Sequence, residues 1–78
     1  MRVKVRYFAM LREHKGTSVE SIDVQPGTTI ARLYEMVFGS TPLSDLPVLF
    51  ALNESYVDAD TKLFDGADVS FLPPLGGG

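Results

Sequence analysis

Residues 25–39 read Gln-Pro-Gly-Thr-Thr-Ile-Ala-Arg-Leu-Tyr-Glu-Met-Val-Phe-Gly, and the spacing of their apolar side chains predicts an amphipathic helix. Ile30, Leu33, Tyr34, Val37 and Phe38 fall at i, i+3, i+4, i+7 and i+8. One stripe therefore takes all five, while Ala31, Arg32 and Glu35 turn to water. Gln25-Pro26-Gly27 makes a turn ahead of the helix, and Thr28 or Thr29 can supply the oxygen that caps an exposed N–H. Gly39 follows at once and is expected to close the helix in the left-handed conformation. A helix with one apolar stripe needs one apolar surface to cover, and the flanking sequence supplies a sheet.

Upstream, Arg2–Phe8 alternates with period two: Val3, Val5 and Tyr7 on one face, Lys4, Arg6 and Phe8 on the other. Residues 9–15 suit a helical turn that Gly16 can end, and 17–24 reads as a second strand that buries Ile22 and Val24. Downstream, 40–46 with Pro42 and Pro47 is a connecting loop. The apolar run 48–52 predicts a strand covered on both faces. Asn53-Glu54-Ser55 turns into a short strand at Tyr56-Val57, and Asp65-Gly66 marks a tight turn. Residues 69–72 alternate again, with Val69 and Phe71 opposite Ser70 and Leu72, until Pro73-Pro74 removes two N–H donors. The expected order is β-β-α-β-β-β, a two-layer α+β fold with one main helix on one face of a mixed sheet. If the first and last strands pair in parallel they become central, which is the β-grasp, or ubiquitin-like, topology.

The 78 residues allow one domain, expected over 1–72, followed by a C-terminal glycine tail over 73–78. A chain of this size buries only about 60–65% of its unfolded surface, so the core is small. The absence of cysteine excludes disulfides, thiolate metal sites and a cysteine nucleophile, and favours a reducing, cytoplasmic setting. The opening Met-Arg-Val-Lys-Val-Arg has no apolar run of a signal peptide, and no stretch approaches the roughly 20 apolar residues of a membrane span. Ten acidic against seven scattered basic side chains give a net charge of −3, which argues against nucleic acid as a partner.

Most catalytic motifs are missing. Neither a P-loop nor a G-x-G-x-x-G is present. Residues 58–63 imitate the start of a calcium loop, but Lys62 and Leu63 stand where an oxygen ligand and a glycine are needed. His14 is the only histidine, so no zinc site is expected, and Glu13 and Glu20 read as structural or solvent-facing rather than as an acid–base pair.

The ending Phe71-Leu72-Pro73-Pro74-Leu75-Gly76-Gly77-Gly78 carries the functional signal. Prolines launch the chain from the last strand along an extended path, and six extended residues reach at most about 20 Å. Glycines lack Cβ, so they thread a slot too narrow for any other residue. The group at the tip is an α-carboxylate. A side-chain-free carboxyl end on such a reach is what an acyl-carrying protein needs.

Taken together, these segments resemble the MoaD family, the small subunit of molybdopterin synthase, over essentially the whole chain. The likeness lies in residues 5–13 with their Phe-Ala-x-x-Arg-Glu turn, the helix entry over 27–33 and Ala51-Leu52-Asn53. It continues through Leu63-Phe64-Asp65-Gly66-Ala67-Asp68-Val69 and the diproline before the glycines. One departure is Gly76, where the family commonly has a variable residue.

The resemblance implies a carrier with no catalytic residues and no bound cofactor or metal of its own. A MoeB-like adenylating enzyme would use ATP to activate the Gly78 carboxylate, and a sulfur donor would displace AMP to leave a thiocarboxylate. A MoaE-like large subunit, in a heterotetramer, would take the tip into its active site and move the sulfur to precursor Z, building the dithiolene of molybdopterin. Leu75, Gly76 and Gly77 would then thread the partner, with Pro73, Pro74 and Leu75 making the first docking contact, and Arg12, Tyr56 and Leu72 would form the partner interface with the adenylating enzyme. Three other readings use the same fold: a ThiS-like thiamine sulfur carrier, a ubiquitin-like protein modifier, and an interaction module with an idle tail.

Overall fold

In β1 (Arg2–Tyr7) the alternation in the sequence becomes burial: Val3, Val5 and Tyr7 lie inside, Arg2, Lys4 and Arg6 outside. The computed structural model describes residues 1–74, and its further elements are α1 (Ala9–Lys15), β2 (Val19–Asp23), α2 (Ile30–Phe38), β3 (Leu49–Leu52), β4 (Ser55–Val57) and β5 (Asp68–Leu72). The strands form one mixed sheet in the order β2-β1-β5-β3-β4. β1 and β5 pair in parallel at its centre, with Val5 beside Val69 and Tyr7 beside Phe71, and the other neighbours are antiparallel. This is the β-grasp arrangement.

α2 lies across one face and buries Ile30, Leu33, Tyr34 and Phe38. These meet Val3, Val5, Tyr7, Val69 and Phe71 in a single core, with Leu11 of α1 closing one end. Aromatic rings fill its centre: Phe38 meets Tyr7 edge-on at 5.7 Å, and Tyr34 meets Phe71 edge-on at 5.0 Å. Thr29 is the N-cap, its hydroxyl accepting the N–H of Arg32 at 3.1 Å.

Several boundaries differ from the sequence reading. β1 stops at Tyr7, because Phe8 is the extended N-cap residue of α1. That helix fills the connection between β1 and β2 and ends at Gly16, whose φ of 76° is the left-handed cap. β2 begins at Val19 rather than at 17, since the Thr17 hydroxyl donates to the Val19 carbonyl and folds the backbone there into a turn. Gly39 is right-handed (φ −60°), not left-handed. Its glycine is required by proximity instead: a Cβ would sit 2.3 Å from the Glu35 carbonyl oxygen. β3 is covered on one face only, because both helices lie on the same side of the sheet, and Leu49 is 56% exposed.

Candidate functional site

The face of the sheet that no helix covers is read off the register. Leu49 lies opposite Leu72, Ala51 lies between Ser70 and Tyr56, and Arg6 and Lys4 stand beside Ser70 and Asp68. Lys4, Arg6, Ser70 and Leu72 alternate with buried core residues, and Leu49, Ala51 and Tyr56 with the core-packed Phe50, Leu52 and Val57. Although Ala51 is covered by its neighbours, all therefore share the open face. It divides in two. One half is charged: Arg6 makes two bonds to the Asp68 carboxylate, at 2.9 and 3.0 Å, and Arg2 grips Asp23 in the same way at 3.0 and 3.2 Å. The bonds from Arg6 hold the Asp68 carboxyl below its usual range. Asn53 fixes the same residue from the β3–β4 turn, its Oδ1 accepting the Asp68 N–H at 2.9 Å.

The other half is apolar. Tyr56 is 74% exposed, Leu49 protrudes beside a half-buried Leu72, and Phe8 is exposed at the end of the row that Arg6 begins. Phe8, Arg6, Ser70, Asp68 and Glu54 line one groove of about 490 Å³, so the two halves meet without a ridge between them. Exposed aromatic and leucine side chains rimmed by charge are the usual makeup of a protein-binding surface.

β5 leads from this face toward the C-terminus. Leu72 is its last residue, and the half-buried Pro73 and Pro74 follow where the ladder ends. Leu75, Gly76, Gly77 and Gly78 lie outside the described residues. The structure thus brings Tyr56 and Leu72 onto one face and puts Pro73-Pro74 directly after it. Arg12 is exposed on α1, outside the sheet, and forms no ion pair among the described residues.

Phe8 and Leu49 complete the exposed apolar surface, and neither was among the interface residues expected from the sequence. The alternation of β1 already put Phe8 with Lys4 and Arg6, so its signal was present. Leu49 had none, because only its register against Leu72 places it there.

Of the two glutamates weighed as an acid–base pair, Glu20 is held by structural partners. Glu20 accepts the hydroxyl of Tyr7 and pairs with Lys15 at 3.1 Å. His14 rests 6.0 Å from the Phe38 ring. Among the described residues, no three His, Asp or Glu side chains are grouped to hold a metal ion. No helix among them is long and apolar enough to cross a membrane. What this arrangement offers is a contact face joined to a strand that hands the chain onward.

A β-grasp domain with an open, partly apolar face beside its C-terminal strand defines the class. The ThiS family pattern matches residues 5–78. The molybdopterin synthase sulfur carrier subunit of Chlamydomonas reinhardtii is 35% identical over 83 aligned positions, covering all of both chains. A solved structure from Pyrococcus furiosus, described as molybdopterin converting factor subunit 1, is 29% identical with a TM-score of 0.82, over 96% of this chain and 99% of that one. A second, a complex of subunits 1 and 2 of molybdopterin-converting factor from Helicobacter pylori, is 27% identical with a TM-score of 0.67 over all of both chains. The chain belongs to the ThiS family, and within it is similar along its full length to the sulfur carrier subunits of molybdopterin synthase.

Proposed function

We propose that the protein is a sulfur carrier in molybdopterin synthesis, the small subunit of a molybdopterin synthase, with Gly78 as the carrying residue. The observation that supports this most is the full-length likeness to sulfur carrier subunits, carried by a fold whose central strand runs out toward the glycines. A carboxylate is a poor electrophile. A MoeB-like enzyme therefore joins the Gly78 carboxylate oxygen to the α-phosphorus of ATP, and pyrophosphate leaves. A sulfide-equivalent donor then attacks the carbonyl carbon, AMP departs with the oxygen, and a thiocarboxylate remains.

In this reading the chain catalyses nothing alone and binds no cofactor or metal. Leu75, Gly76 and Gly77 thread a MoaE-like large subunit, in a heterotetramer, whose groups transfer the sulfur. Tyr56, Leu72, Pro73 and Pro74, with Phe8 and Leu49, make the contact face, and Arg12 contacts the partner from α1. Residues 1–72 act as the domain and 73–78 as its tail, in the cytoplasm.

Mixing thiocarboxylated protein with a molybdopterin synthase large subunit and precursor Z tests the pathway. Molybdopterin is the expected product. Failure there, with sulfur instead delivered to the thiazole of thiamine, moves the chain to the thiamine branch; isopeptide links to lysines make it a modifier.

A further inference from the structure

A second concave surface lies away from the open face, between the C-terminal half of α2, the 39–48 connection and the start of β3. We propose that this groove is a second docking site, filled by a basic segment with an apolar anchor from the same partner that receives the tail. The proposal rests on the carrier reading above.

The groove encloses about 690 Å³. Tyr34 and Phe50 form its floor, their rings 6.2 Å apart and steeply tilted, and Leu46 and Val48 wall one side. Glu35 and Asp45 stand on the rim, and the lining residues include no lysine, arginine or histidine. Asp45 has no ion pair among the described residues. Among the described residues Glu35 pairs only with Arg32, one turn back on an exposed helix face, and such pairs contribute little. A lysine or arginine lays its methylenes on apolar surface and keeps its charge outside, which suits an aromatic floor beneath carboxylates.

Two further observations favour an occupant. The groove is pre-formed: the Tyr34 hydroxyl donates to the Leu43 carbonyl at 2.6 Å, and Thr41 ties the connection to the end of α2 through Phe38 at 2.7 Å. A surface already held in shape binds with a smaller ordering cost. The groove also lies at the end of the sheet where β5 finishes. Val48 directly precedes Leu49, whose cross-strand partner is Leu72, the residue before Pro73. The groove therefore begins one residue from Leu49 on the open face, so one partner can hold the open face and the groove together.

The test measures binding of the full-length protein to a molybdopterin synthase large subunit across a range of salt. It compares wild type with Asp45→Lys, with Asp60→Lys as a control for bulk charge, and with Tyr56→Ala for the open face. Asp45→Lys is expected to weaken binding about tenfold and flatten its salt dependence, while Asp60→Lys stays within about twofold and both keep the wild-type melting temperature. An Asp45→Lys affinity within about twofold of wild type overturns the groove proposal, as does an equal loss in Asp60→Lys. If Tyr56→Ala alone weakens binding, the carrier reading stands and the groove falls. If wild type does not bind the large subunit at all, both fall.

Discussion

Tyr7 illustrates how one residue ties local chemistry to the fold. Its ring sits in the aromatic core against Phe38 and Phe71, while its hydroxyl reaches Glu20, which Lys15 holds from α1. Burial, reinforced by the bond to Glu20, pushes the phenol's pKa up, and that same bond is the main cause holding the Glu20 carboxyl down. Tyr7→Phe keeps the ring and removes the bond, so denaturant unfolding at neutral pH should read a loss of about 1–2 kcal/mol. Because the carboxyl is depressed in the folded state, its contribution is present above its ordinary value of 4.5 and disappears as pH falls through the lower folded value. The gap between wild type and Tyr7→Phe should therefore narrow in acid; a gap that widens there contradicts the account. At the tail, one residue added after Gly78 moves the carboxylate beyond the reach that loading requires. Sulfur loading should vanish while the melting temperature stays unchanged.

At the level of elements, legibility followed burial. β1, α2 and β5 each have one wet and one dry face, so their periods of two and 3.6 were plain in the sequence. β3 was misjudged because its run of apolar residues resembles a strand buried twice, whereas Leu49 stands exposed on the open face. Gly39 was assigned the wrong reason: glycine is needed both where φ is positive and where backbone comes close, and composition does not separate the two. The β3–β4 turn carries a testable strain, since both Asn53 (φ 49°) and Glu54 (φ 70°) are left-handed. Two-residue hairpins of this kind favour glycine at the second position. Glu54→Gly should raise stability by about 0.5–1 kcal/mol in thermal or denaturant unfolding, and a decrease would argue against this turn geometry.

For the molecule as a whole, the division between a covered and an open sheet face sets what each substitution does. The tail motif and the class of chemistry were legible in the sequence because glycine and proline act through the backbone, whatever surrounds them. The open face was only partly legible, because Leu49 and Tyr56 reach Leu72 through pairings across the chain that no local pattern encodes. Tyr56 stands almost wholly in water, so Tyr56→Ala should leave unfolding within about 0.5 kcal/mol of wild type. The same change should weaken binding to the large subunit by about 1–2 kcal/mol in calorimetric titration, since aromatic anchors dominate such interfaces.

The central claim concerns Gly78, and the intact mass of the protein tests it most directly. After incubation with an adenylating partner, ATP and a sulfur donor, the mass should rise by the exchange of one oxygen for one sulfur, with the change confined to the C-terminal peptide. A mass that stays at its starting value under those conditions, with a known carrier loaded alongside, would contradict the assignment.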